Sequence, residues 1–232
     1  MIKRFYIMAA TLFCLAASCT QEPTGKTVYL KDYLTEEMLC DDAEPAIRKA
    51  LEECLNSNGS TLVLPGGTLH IKPDFCYGNY QKISNNDPSD KRMAFDIVGA
   101  EGLTIEGNGT TLMFSGFISP FNIKDSKNIS INDLNIDYTR TFHSEGLITD
   151  SGKDWVRLRF PKDYKVNLES GILVFKDDYR NEYPYGNLLE FDSSKKEVAH
   201  YVRDYWVWGP GLQAEALPDG EYKVYEKDIK LC

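Results

Sequence analysis

No cluster of lysine and arginine appears anywhere in the chain, and the net charge is −9. That balance offers no footprint for a phosphate backbone, so nucleic acid is excluded as a partner. It argues equally against a basic patch lying on a membrane surface. The 6 cysteines include no Cys-x-x-Cys pair, and no zinc-ligand spacing is present. Long apolar runs are absent as well. The longest, residues 5–18, is too short to span a bilayer.

What that short run does suggest is export. Lys3 and Arg4 precede it and the small residues Ala16, Ala17 and Ser18 close it, which is the order of a secretory signal. Cys19 follows at the junction and resembles the lipid-accepting cysteine of bacterial lipoproteins, although Ala16 stands where Leu is commoner. The expectation is a signal over 1–18 and a lipidated tether over 19–27, anchoring the protein to the bacterial outer membrane on its periplasmic or outer face. Cleavage without lipid is the alternative. Once Cys14 and Cys19 are set aside, Cys40, Cys54, Cys76 and Cys232 remain, and spacing names no disulfide among them.

The folded part is long enough for one large domain or two small ones. Its first element is predicted to be a helix: Asp41 and Asp42 offer a cap, Pro45 suits a first turn, and Ile47, Ala50, Leu51, Cys54 and Leu55 recur at helical spacing up to Gly59. "NGSTLVLPGGTLHI" then supplies two short β runs, 62–64 and 69–71, around a Pro-Gly-Gly break. An amphipathic helix there would cover the open end of a stack of strands.

From residue 94 the chain repeats itself. "GLTIEGNGTTLMF" is answered about 26 residues later by "NISINDLNIDYTR", with a further run over 119–124 between them. Leu103 and Ile105 would stack on Ile129 and Ile131, and Gly107, Asn108, Gly109, Asn128 and Asn132 suit corners that need a left-handed backbone. The Asn-x-Ser/Thr triplets at Asn58, Asn108 and Asn128 would be glycosylation acceptors only in a eukaryotic secretory route, and in a bacterial lipoprotein they are corner residues. The predicted fold class is all-β: a right-handed parallel β-helix with an N-terminal capping helix, over 28–146. An antiparallel sandwich is the alternative.

After Phe142 the pattern changes to strict alternation in "DWVRLRF", short runs "GILVF" and "NLLEF", and a hairpin turning at 192–195. This predicts a small antiparallel, barrel-like β module over 147–232, inserted into or appended to the helix. About three coils is the minimum for such a stack, and no terminal cap is legible before Cys232. The chain is therefore expected to be the N-terminal portion of a longer one, unless the module closes the stack.

The blocks "DDAEPAIRKALEECLNSNGSTLVLPGGTLHI" and "KRMAFDIVGAEGLTIEGNGTTLMFSGFISPFNIKDSKNISINDLNIDYTRTFHSEG", above all "NIDYTRTFHSEG" before a β module, resemble the N-terminal part of the glycoside hydrolase family 110 exo-α-1,3-galactosidases of gut bacteria. The resemblance implies a β-helix carrying inserted β-barrels, inverting hydrolysis of terminal α-linked galactose, a glycan as partner, and no cofactor. It also implies catalytic aspartates on a later coil, for which 1–232 holds no counterpart, so no catalytic residue is assigned and the chain alone is expected to be inactive.

An inverting glycosidase needs two converging carboxylates. Asp41 and Asp42 have an ordinary explanation as caps; Asp177 and Asp178 precede Tyr179 and Arg180 in what suits a solvated turn; Asp133 and Asp137 would share a solvent face opposite Leu134 and Ile136. The better candidates for gripping sugar hydroxyls are Asp137, Arg140, His143 and Glu145, within one loop leaving a coil. A polar hinge between the two parts is the competing reading. His143-x-Glu145 is too short a pattern to name a metal, so no metal ligand is assigned. Tyr138 and Phe142 offer a stacking face or simply pack. Trp206 and Trp208 share a strand face, with Tyr201 from the strand before, and form either a sugar platform or a core cluster. Two classes of function stand: a glycoside hydrolase present as its N-terminal portion, and a non-catalytic glycan-binding lipoprotein. A lyase or polygalacturonase is weaker, since a scaffold does not name a reaction.

Overall fold

The computed structural model describes residues 25–82, 87–162, 164–177, 179, 182–184, 188–200 and 212–225. The expectations concerning the N-terminal signal, Cys19, Cys232, Asp178, Arg180, and the Tyr201, Trp206 and Trp208 cluster lie outside these. The described chain is mostly strand with few helices, an all-β protein.

Strand β1 (Thr27–Tyr29) is followed by a short helix α1 (Glu36–Cys40) and the predicted helix α2 (Glu44–Leu55). Thr35 caps α1, its hydroxyl accepting the Met38 N–H at 3.2 Å. At α2 the capping is done one residue early. Ala43 occupies the cap, while Asp42 Oδ1 accepts the N–H of Glu44 at 3.0 Å and of Lys72 at 3.1 Å, tying the helix start to the strand ending at Ile71. Asp41 meets the Lys72 ammonium instead. Ala46, Ile47, Ala50, Leu51 and Cys54 form the buried stripe, as their spacing requires. Cys40, Cys54 and Cys76 are free thiols, and burial pushes those of Cys54 and Cys76 up to about 11 and about 12.

Strands β2 (Thr61–Val63), β3 (Thr68–Ile71), β4 (Tyr77–Gln81), β5 (Ser89–Val98), β6 (Thr104–Phe114), β7 (Ser119–Lys124) and β8 (Ser130–Tyr138) come next. Strand β6 is central. It pairs in parallel with β2 and β3 on one edge and with β8 on the other, setting Leu62 against Ile105 and Ile105 against Ile131 in one continuous register. Strand β5 pairs in parallel with β7 and antiparallel with β4. Like side chains stack across rungs: the rings of Phe95 and Phe121 lie 4.8 Å apart. Polar positions do the same, Asn122 donating to Asp96 at 2.5 Å and Asn132 to Glu106 at 2.9 Å, each pair 26 residues apart. Leu62, Ile105, Leu112 and Phe114 are fully buried, and each such side chain contributes roughly 1.5–3 kcal/mol through area removed from water.

The corners differ in detail from the sequence reading. The register slips between Glu106 and Thr110, where β6 accommodates Gly107, Asn108 and Gly109 without breaking. Asn108 and Asn128 are left-handed as expected, but on β8 the left-handed residue is Asp133, at φ 48°, rather than Asn132. Gly107 serves close approach instead: a Cβ there would stand 2.1 Å from the Asp133 carbonyl oxygen. Asp133 and Asp137 are both exposed as expected, but the turn at Asp133 interrupts the strict alternation along β8. Ile131 and Leu134, three apart, both pack on the core.

The rest is antiparallel: β9 (Leu147–Gly152), β10 (Trp155–Arg159), β11 (Lys165–Glu169), β12 (Ile172–Lys176), β13 (Glu182–Pro184), β14 (Phe191–Asp192), β15 (Glu197–Val198), β16 (Gln213–Ala216) and β17 (Tyr222–Tyr225). All but β14 and β15 form one sheet, and those two are the hairpin expected around Asp192. Val156, Leu158, Leu173, Phe175, Leu212 and Val224 make its core. Beside it the buried Glu221 carboxylate accepts from Thr149 at 2.7 Å and from Arg157 and Arg159.

Candidate functional site

The stretch 137–145 leaves the end of β8, and its geometry follows from what each side chain meets first. Asp137 is exposed, and its Oδ1 accepts the neighbouring Tyr138 N–H at 2.8 Å. Arg140 donates to the Thr141 carbonyl and the Ser144 hydroxyl, both at 2.6 Å, with its guanidinium 5.2 Å from the centre of the Tyr164 ring. Glu145 gives its backbone N–H to the Tyr164 hydroxyl at 3.4 Å. Arg140 and Glu145 therefore meet at Tyr164, a residue of the antiparallel part. Asp137 and His143 lie outside that contact, their side chains open to solvent. Such a loop can present Asp137, His143 and Glu145 to a hydroxyl-rich ligand while Arg140 holds its shape.

Phe142 points the other way. Its ring lies 4.8 Å from Tyr138 and 5.1 Å from Phe117, and the Tyr138 hydroxyl donates to the Ile118 carbonyl at 2.9 Å. Burial raises the Tyr138 phenol, so it stays a donor at neutral pH. Past these rings opens a cleft of about 850 Å³, lined among others by Asp74, Asp90, Arg92, Phe117, Phe142 and Tyr179. The sequence reading found Phe142 but not the others. Met93, Phe95 and Ile97 are buried at alternate positions of β5, which puts Asp90 and Arg92 on the outward side, and that alternation was a usable signal.

Two carboxyls are raised above the ordinary range, and both are structural. Burial lifts Asp42 and takes Glu44, fully buried against Arg48, up to about 7. Neither opens to a ligand. Asp177 uses its carboxylate to accept the Tyr179 N–H at 2.8 Å, the turn role anticipated for it. Among the described residues no group of three or more His, Cys, Asp and Glu side chains is arranged to hold a metal ion.

Residues 144–231 match the family model described as GLAA-B beta-barrel domain I, which begins where the strand pattern changes from parallel to antiparallel. Alpha-1,3-galactosidase A of Shewanella woodyi is 29% identical over 205 residues, 88% of this chain and 34% of its own length. The resemblance to the N-terminal portion of glycoside hydrolase family 110 stands. Alpha-1,3-galactosidase A of Bacteroides fragilis is 30% identical over 207 residues, covering 86% of this chain and 34% of that protein. Alpha-1,3-galactosidase B of Akkermansia muciniphila is 28% identical over 137 residues, 58% of this chain and 17% of its own length. The chain thus spans about a third of the length of the Shewanella woodyi and Bacteroides fragilis alpha-1,3-galactosidases A.

Proposed function

We propose that this chain forms the N-terminal part of a glycoside hydrolase that removes terminal α-linked galactose from glycans with inversion. The observation that carries the reading is the match over 88% of the chain to a protein named alpha-1,3-galactosidase A. An inverting pair needs carboxyls about 6.5–9.5 Å apart with room for a water between them. We place that pair in the stretch of the relatives that this chain does not match. The parallel ladders through Ile105 and Ile131 support reading residues 28–146 as the first coils of a right-handed parallel β-helix, capped by α2, with 147–232 as a barrel-like module. On the same reading residues 1–18 are an export signal, Cys19 carries lipid at the outer membrane, and Asp137, Arg140, His143 and Glu145 lie along the glycan's path.

The test is galactose release from α-D-galactosyl-(1→3)-D-galactose, followed by NMR. A protein spanning the relatives' full length is expected to release the β-anomer first, and the 232-residue chain none. Release of the α-anomer first would remove inversion, and brisk release by the short chain would remove the placement of the carboxylates. A second reading, glycan binding without turnover, draws on the aromatic and polar lining of the cleft beside Phe142; no galactose release from a folded full-length protein that still binds the disaccharide would favour it.

A further inference from the structure

We propose that the cleft between the outward face of β5 and the Phe117–Phe142 pair is a binding site for a neutral pyranose of the glycan. This rests on the reading that the protein acts on glycans, and it names a place and a set of contacts that the reading does not. A pyranose presents a C–H face and a rim of hydroxyls. A matching site needs an exposed aromatic surface beside polar groups that accept and donate in the plane of the ring.

The cleft has both. Its volume of about 850 Å³ lies within the roughly 300–1,000 Å³ of small-ligand sites. Phe117 and Phe142 remain 46% and 40% exposed although they touch each other, an arrangement that leaves apolar ring surface facing the cleft. They are held in place beforehand. Gly116, at φ 77°, turns the chain before Phe117, and Tyr138 fixes the next residue through the Ile118 carbonyl. A surface ordered in advance loses little side-chain entropy on binding.

The polar side is equally built on rigid backbone. Arg92 and Asp90 are two residues apart on β5, which is paired to β4 through Gly78 and Arg92 and to β7 through Met93 and Ser119. The Arg92 guanidinium lies along β4, 3.5 Å from where a Cβ on Gly78 would stand. Among the described residues the side chains of Asp74, Asp90 and Arg92 spend no hydrogen bond on protein partners, so their donors and acceptors are available to hydroxyls. Carboxylate and guanidinium groups each address neighbouring hydroxyls in pairs. With Asp74 and Asp90 lining it alongside Lys91 and Arg92, the cleft carries no excess of positive charge, which disfavours an acidic sugar and favours a neutral one.

The experiment is a titration of the isotope-labelled 232-residue chain with α-D-galactosyl-(1→3)-D-galactose, read from backbone amide shifts. Saturable movement of the Arg92, Phe117 and Phe142 amides is expected, with Phe117→Ala and Arg92→Met each weakening binding about tenfold or more. Phe191→Ala, an exposed ring in the antiparallel part, serves as the unaffected control. Arg92→Lys, which keeps charge and stem, is expected to weaken binding less than Arg92→Met if hydroxyl contacts matter. Unmoved cleft amides, or full-strength binding by both primary variants, would overturn the site. A full-length protein that hydrolyses the disaccharide with KM unchanged in those variants likewise loses this site while keeping the proposed activity. Cleft binding without hydrolysis in the full-length protein keeps the site and removes the activity.

Discussion

Up to Tyr138 the strands are held by repetition, whereas after Leu147 they are held by a small core braced with charge. Among the described residues, 21 buried apolar side chains form the first cluster and 6 the second. The difference shows in what replaces apolar contact. In the parallel part, polar side chains pair one rung with the next, as Asn132 does with Glu106. In the antiparallel part, one buried carboxylate, Glu221, collects Thr149, Arg157 and Arg159 from two neighbouring strands. Stacked rungs can share the cost of any one loss among neighbours of the same kind; a single ionic hub cannot.

The largest effect should come from breaking a ladder at its centre. Ile105 is fully buried and faces Leu62 on one side and Ile131 on the other, so Ile105→Ala is expected to cost about 3 kcal/mol. Val156→Ala in the smaller core should cost about 2 kcal/mol. Trp155, Trp206 and Trp208 all lie beyond residue 147, so tryptophan fluorescence follows that part alone. Urea unfolding should show Ile105→Ala moving the circular-dichroism midpoint more than the fluorescence midpoint, and Val156→Ala the reverse. Equal movement by both probes would mean that the two parts unfold as one unit.

A sharper comparison lies within one corner. A Cβ at Gly107 would collide with the Asp133 and Asn132 carbonyls, whereas one at Gly109 meets nothing within 4 Å and suffers only from φ 71°. Gly107→Ala is therefore expected to cost about 2 kcal/mol or more by forcing two rungs apart, and Gly109→Ala about 1 kcal/mol from backbone strain alone. Thermal melts of the pair check this, and equal losses would show that the rungs part freely.

Much of this was legible because periodicity is a physical demand. The 26-residue repeat, the run 119–124, the stripe of α2 and the change of pattern near Leu147 each follow from residues that must be buried or turned. Asp133 escaped because Asn132 beside it tolerates the same left-handed turn, and only the register of the neighbouring rung decides between them. The cleft escaped for a different reason. Asp90 and Arg92 follow from the alternation of β5, but Asp74, Phe117, Phe142 and Tyr179 are dispersed along the chain and reach them only through the pairing of β4, β5 and β7, the loop after β8 and the turn after β12, so no local spacing brings the set together. Within 137–145 the residue types were visible, but Tyr164, which organises Arg140 and Glu145, lies in another element.

The two parts should also answer pH with opposite signs. Burial raises Glu44 from 4.5 to about 7, so the folded state holds a proton that the unfolded chain has released. Its contribution is complete below about pH 4.5 and is lost as pH rises through about 7. Glu221 is lowered, first by the Thr149 hydroxyl and then by Arg159 and Arg157. Its contribution is present above the ordinary carboxylate range and disappears as pH falls through the lower folded value. Glu44→Gln should thus stabilise by roughly 1–2 kcal/mol at pH 8 and leave pH 4 unchanged. Glu221→Gln should destabilise at pH 7 and converge on the parent in acid. Urea midpoints across this range decide the matter; parallel profiles for the two variants would contradict the assignment.

The smallest effect returns to the corner that the sequence misplaced. Asp133 sits at φ 48°, a conformation that Asp tolerates but that still strains its Cβ, and among the described residues its carboxylate makes no hydrogen bond or ion pair. Asp133→Gly relieves the strain while loosening the unfolded chain, and the two terms nearly cancel, leaving a change of about 0.5 kcal/mol in either direction. Asp133→Ala keeps the strain without Asp's tolerance of the turn and should be less stable than the Gly variant by about 1 kcal/mol. If instead both variants lose the same amount, the carboxylate itself carries the stability, and Asp133 regains its standing as a charged group with a task on the outer face of β8.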